Sequence, residues 1–202
     1  FQRSLDWICR DEMGYAAELE DTIFDYYDRD KYQRLVLRAS GDDNYPADNV
    51  PADPNNVHDG GCHVRDEYVH TLAKNGGMKV DVRSVERAIV YLNGEYWGVY
   101  ALREKPNDHD YTDHNYDQGK YDLQWLSTWG ATEAEYGGQQ AFDDWGVLRD
   151  FILNNDMGVP ANYQIADDGV QVNSLIDYMA ANLNVVASDW LNYNTALWRG
   201  LN

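Results

Sequence analysis

Cysteine is almost missing from this chain: Cys9 and Cys62 are the only two among 202 residues. Two thiols form at most one disulfide, their spacing suits no metal knuckle, and neither sits in a nucleophile motif with histidine. A free thiol and a disulfide both remain open, and with them the redox compartment. Lysine is nearly as scarce, with Lys31, Lys74, Lys79, Lys105 and Lys120 alone. Lys and Arg number 16 against 35 Asp and Glu, for a formal charge of −19. A nucleic-acid backbone requires a concentrated basic surface, so this balance argues against DNA or RNA as a partner. No apolar run approaches the roughly 18 residues that a membrane-spanning helix requires. Walker phosphate loops, HExxH helices and nucleophile elbows are absent too, which disfavours hydrolases of those types.

The acidic surplus reads as a solvated surface or, through the Asp/Asn-rich stretch 40–59, as a calcium-coated extracellular one. That stretch does not match an EF-hand loop. With 44% hydrophobic residues, a chain of this length buries about 70% of its unfolded surface, enough for one domain, in one lobe or two. Residues 34–39, Arg-Leu-Val-Leu-Arg-Ala, read as a short strand. Pro46, Pro51 and Pro54 then mark a long loop. Val64, Tyr68 and Leu72 recur every four residues ahead of Gly76-Gly77, which predicts a helix over 64–74.

Residues 86–92 and 95–102 flank Asn93-Gly94, the dipeptide best suited to a two-residue type I′ turn, so a hairpin is expected. Gly98 suggests a bulge or a close approach, and Pro106 a stop. Phe142, Trp145, Leu148 and Phe151/Ile152 form a helical stripe assigned to core packing. Leu175, Ile176, Met179, Ala180, Leu183 and Val186 form the apolar face of a last helix, capped by Ser174 and Asp177 and running to about Ala187. The run 107–115 sets His109 and His114 among aspartates. Composition there could suit a transition metal, but their spacing does not align them on a helix face.

At the exit of the last helix stands Asp189-Trp-Leu-Asn-Tyr-Asn194. An aspartate followed five positions on by an asparagine has the spacing of a kinase catalytic loop, in which the carboxylate orients a hydroxyl and the amide oxygen holds Mg²⁺. Asp and Asn also cap turns routinely, so the spacing alone leaves both readings.

Five blocks in series carry a resemblance: Gln2-Arg-Ser-Leu5; Leu35-Val-Leu-Arg-Ala-Ser-Gly-Asp-Asp43; Val64-Arg-Asp66; Tyr91-Leu-Asn-Gly-Glu-Tyr-Trp-Gly-Val-Tyr-Ala-Leu-Arg-Glu-Lys105; and Asp189 to Asn194 with Trp198-Arg199. Together they resemble the spore-coat protein H (CotH) kinase family. The resemblance implies an α+β fold, atypical and protein-kinase-like and here partial. Residues 1–105 would form a small sheet-rich lobe with one helix near 64–74. Residues 106–202 would form a helical lobe with a solvated connector over 107–115 and a catalytic-loop-like segment at 188–199.

It further implies transfer of the ATP γ-phosphate to Ser or Thr of a partner protein, with Mg²⁺ or Mn²⁺. Asp189 would be the catalytic carboxylate and, with Asn194, a metal ligand. Arg3, Arg103, Glu104 and Lys105 would meet the nucleotide: Arg3 where the family usually has a phosphate-reaching lysine, the other three at a hinge after Leu102. Glu104 as a strand-end charge paired with Arg103 or Lys105 is the alternative. A bacterial secreted or cell-surface setting is expected. The family's glycine- and serine-containing segment should precede Phe1, and an aspartate-bearing metal strand should follow Arg199. This piece is therefore expected to be cut at both edges of its nucleotide cleft and to bind ATP weakly by itself.

A carboxylate 4 Å from a phosphate charge is repelled by roughly 4 kcal/mol at an effective dielectric of 20, so a site built on Asp189 requires a bridging cation. Two other functions stay in view. One is a catalytically inactive relative serving as a structural or adhesive module. The other is a carbohydrate-contacting domain, suggested by 7 Trp and 16 Tyr, which more often fill cores.

Overall fold

The computed structural model describes residues 3–9, 17–25, 27–40, 43, 63–187, 190 and 192–202. These residues form a mixed α+β fold that divides into two units. The first comprises residues 1–72 and 82–111, the second residues 73–81 and 112–202.

In the first unit, β1 (Leu5–Ile8), β4 (Arg34–Arg38), β6 (Glu95–Glu104) and β5 (Val85–Leu92) lie side by side in that order, all antiparallel. Asn93 and Gly94 close the β5–β6 hairpin with φ of 51° and 84°. Both angles are left-handed, as a type I′ turn demands. Opposite Gly98 the register slips between Val90 and Tyr91, which is the bulge foreseen from that glycine. The short pair β2 (Leu19–Glu20) and β3 (Lys31–Tyr32) stands apart from this sheet. Phe24, Tyr32 and Leu35 form a buried cluster in this unit, with Leu19, Ile23, Tyr27 and Leu102 packed around them. Phe24 meets Tyr32 edge to face at 5.6 Å. Each such buried side chain contributes about 1.5–3 kcal/mol.

Helix α1 spans Arg65–Asn75, one residue from the expected bounds. Its start is fixed from a distance: the buried Asp43 carboxylate accepts the Arg65 N–H at 2.7 Å and takes the Arg65 side chain at 3.3 Å. This satisfies one of the orphan donors of the first turn. The rest of the expected 40–62 loop lies outside the described residues, apart from Ser40. The run expected as a solvated connector is instead α2 (His109–Tyr116), with Asp108 at its head accepting the Asp110 N–H at 3.4 Å. Asp108 is a strong N-cap residue in front of a sequence without glycine or proline, and that capping outweighed the polar composition.

The second unit holds α3 (Gly138–Asn154), α4 (Pro160–Val170) and α5 (Val172–Asn184). It also carries a sheet that the sequence reading did not foresee: β8 (Ala131–Tyr136), β7 (Leu123–Trp129) and β9 (Thr195–Gly200), antiparallel in that order. Trp125 and Trp198 stack across β7 and β9 with ring centroids 6.2 Å apart. Helix α5 corrects the expected assignment twice. It begins at Val172 behind the left-handed Gln171, so Ser174 lies inside the helix and does not cap it. The expected core face is turned outward, with Ile176 at 54% and Leu183 at 63% of full exposure, while Ala181 is buried. Asp177 accepts the Lys79 N–H at 2.7 Å instead of capping the helix. Among the described residues no helix is long and apolar enough to cross a membrane.

Candidate functional site

Register places Arg38 and Arg103 on one face of the first sheet, since Arg38 pairs with Ala101 and Val36 with Arg103. Side chains directly opposite or two apart on neighbouring strands share a face. Helix α1 supplies the answering charge. Asp66, in its first turn, takes Arg38 Nη1 at 2.5 Å and Arg103 Nη1 at 2.8 Å, both on Oδ2. One carboxylate therefore holds two guanidinium groups, and Arg103 is almost wholly buried. Burial works against the charge on Arg103, Asp66 supports it, and the neighbouring Arg38 opposes it, which together bring its pKa down from the ordinary value. Next along the helix, Glu67 pairs with Arg87.

His70, one turn further on, accepts the Arg83 N–H on Nδ1 at 3.1 Å. Burial first, then the nearby Arg103 and Arg83, push its pKa down to about 4. At neutral pH the ring is uncharged, with its proton on Nε2. Arg83 itself lies over the Tyr111 ring, 3.5 Å from the centroid, and donates to Pro106 O at 2.6 Å and Lys105 O at 3.4 Å. This clamps the chain as it leaves β6.

Glu104 points to the other face. It is 1% exposed, and its carboxylate accepts Arg29 Nη1 at 2.8 Å and the Ser84 N–H at 2.8 Å. Its partner is thus neither Arg103 nor Lys105, the pairing weighed from sequence. Adjacent strand residues face opposite ways, and the partner lies far back in the chain. Arg29 also binds Asp110, whose carboxylate takes the Gln33 N–H at 2.9 Å. Burial opposes the charge on Arg29, but Asp110 and Glu104 outweigh it and hold the guanidinium charged. Burial raises the Asp110 carboxyl, and Arg29 counters only part of that rise.

Lys105 stands 3.4 Å from Asp6, which also takes Arg34 at 2.5 Å. Partial burial pushes Asp6 upward, yet Arg34 and Lys105 hold it below the usual carboxylate range. Of the four expected nucleotide contacts, then, Arg103 joins the Asp66 cluster, Glu104 and Lys105 are committed to separate ion pairs, and Arg3 lies exposed ahead of β1.

In the second unit, Asp189 lies outside the described residues. Among its sequence neighbours, Trp190 packs edge to face on Tyr178 at 6.0 Å, and the Tyr178 hydroxyl meets Thr195 Oγ1 at 3.0 Å. Asn192 accepts the Gly130 N–H at 2.7 Å. Asn194 is exposed and left-handed, with φ of 56°. Carboxylate and amide oxygens are the donor chemistry that Mg²⁺ accepts, so the residue types at 189 and 194 fit such an ion. Among the described residues no group of three His, Cys, Asp or Glu side chains is disposed to hold a metal. His109 lies beside Asp108 at 3.7 Å. Cys9 is a half-buried free thiol, and Cys62 falls outside the described residues.

The first sheet thus carries two cations held by one helix carboxylate, Asp66. Residues 54–202 match the family described as CotH kinase protein. The chain belongs to that family. No curated protein and no solved structure matches it. Within the CotH kinase match lie α1 with Asp66, the hairpin with Arg103 and Glu104, and the 189–199 segment. Arg38 and Asp66 sit in the sequence blocks that carried the resemblance, yet no role was assigned to them. Their signal was an arginine closing a strand and an aspartate opening a helix in a chain poor in cations. Arg29, buried among Asp28 and Asp30 in sequence, had no such signal.

Proposed function

We propose that this CotH kinase family member transfers the γ-phosphate of ATP to Ser or Thr of a partner protein, at the bacterial cell surface or outside the cell. The observation that carries this reading is Asp66 of α1 gripping Arg38 and Arg103 on the sheet. Protein kinases require an ion pair between a strand cation and a helix carboxylate before the phosphates are correctly placed. Here Arg38 and Arg103 take the strand role, and arginine's fixed fork suits phosphate oxygens. Arg3 adds a further cation for the phosphates. Glu104 and Arg83 hold the end of β6 and residues 105–106, the segment we assign to the base. Asp189 orients the acceptor hydroxyl, and Asn194 with Asp189 would hold Mg²⁺ or Mn²⁺, which neutralises charge on the phosphates when bound.

Transfer of radiolabel from ATP to a mixed protein substrate, by the protein at its full natural length, is the test. Label that appears with Mg²⁺ and vanishes with EDTA supports the reading. Its absence in both conditions favours a non-catalytic structural or adhesive module, for which the outward apolar face of α5 offers a surface.

A further inference from the structure

The turn joining β7 to β8 is tied to the segment after α5 by contacts made wholly inside the second unit. Gly130 donates its N–H to Asn192 O at 2.7 Å. Trp129 and Tyr193 meet edge to face, with centroids 5.8 Å apart and planes at 77°. Gly130 has φ of 76°, and a Cβ there would sit 3.4 Å from Tyr193 Cε1. Glycine is therefore favoured by the left-handed backbone, while a Cβ there would make only ordinary contact with the ring. On the other flank, Tyr178 receives Trp190 and hydrogen bonds Thr195, the first residue of β9. Asn194 is held between these two anchors in a conformation that costs most residues about 1–2 kcal/mol and asparagine less. Trp129 is 74% exposed, so burial of its ring does not account for an aromatic at this turn.

We propose that the Trp129-Gly130 turn is a positioning element for residues 192–194, fixing the backbone of Asn192, Tyr193 and Asn194 so that the Asn194 amide is set in advance of any ligand. Its geometry stands independently, and its consequence for catalysis rests on the phosphotransferase reading. Such preset geometry lowers the reorganisation required at the moment of reaction.

Residue-resolved hydrogen exchange on the full-length protein, compared with transfer kinetics, tests this. In Trp129→Ala and Gly130→Ala the amides of residues 192–195 should exchange about tenfold faster or more, while α3 to α5 keep their protection. Trp129→Phe, which keeps an edge-to-face ring, should stay near wild type, and Trp129→Ala serves as the probe if Gly130→Ala fails to fold. Transfer should lose kcat with KM for the acceptor protein unchanged. Unchanged exchange in Trp129→Ala overturns the proposal. So does a raised acceptor KM with unchanged exchange, which would make Trp129 a substrate contact. Faster exchange in a protein whose wild type transfers no phosphate supports the positioning role and contradicts the phosphotransferase reading.

Discussion

Arg29 and Glu104 form an ion pair of 2.8 Å from which water is almost wholly excluded, the two side chains being 2% and 1% exposed. The pair joins the segment before β3 to the last residue of β6, and Asp110 at the head of α2 shares the same guanidinium. Removing Glu104 leaves the buried Arg29 with Asp110 alone and the Ser84 N–H without its acceptor. Glu104→Ala should therefore lower stability by about 3–5 kcal/mol in urea unfolding. The double variant Arg29→Met with Glu104→Met should lose much less than the sum of its singles, because the desolvation cost leaves with the charges. Additive losses would show that the pair does not act as a unit.

His70 gives the protein an acid-sensitive element with a definite sign. Its folded pKa lies near 4, below the ordinary value of 6.5, so the unfolded chain binds this proton more readily. Stability therefore rises with pH between those values. It falls as pH is lowered from about 6.5 and the loss is complete below about 4, amounting to roughly 1–3 kcal/mol after allowance for screening. His70→Asn, which keeps an acceptor near the Arg83 N–H, should flatten the slope above pH 5, where few carboxylates titrate. An unchanged slope in that window would remove His70 as its source.

Asp66 bridges Arg38 and Arg103, and it also favours the charged form of His70. Asp66→Asn should push the His70 midpoint lower still, read by the imidazole proton shifts on titration. It should also cost about 1.5–3 kcal/mol for the charged hydrogen bonds lost. Arg38→Met in that background should recover part of the loss, since one of two crowded cations is gone. A His70 midpoint that rises would contradict the cluster's electrostatics.

Local elements were the legible part of this fold. The hairpin with its turn and bulge, the 34–38 strand and α1 each follow from short-range chemistry: left-handed angles at Asn93-Gly94, branched residues in a strand, a four-residue repeat. The second sheet was not legible. Strands β7 and β9 are short and far apart in sequence, and their tryptophans read equally well as helix or core residues, so only the tertiary pairing of Trp125 with Trp198 marks them as neighbours. The outward face of α5 was misread because periodicity shows that a stripe exists and not what it meets. At the site, Glu104 was singled out as a charge at a strand end, but its commitment to Arg29 is a contact across 75 positions that no local pattern encodes.

The most direct measurement is Mg²⁺-dependent transfer of radiolabelled γ-phosphate to protein by the full-length protein and by its Asp189→Asn variant, with the fold of both checked by circular dichroism. The account predicts clear labelling by the wild type and a fall of about a hundredfold or more in the variant, as loss of the residue that orients the acceptor hydroxyl entails. Equal labelling by the two folded proteins would contradict it.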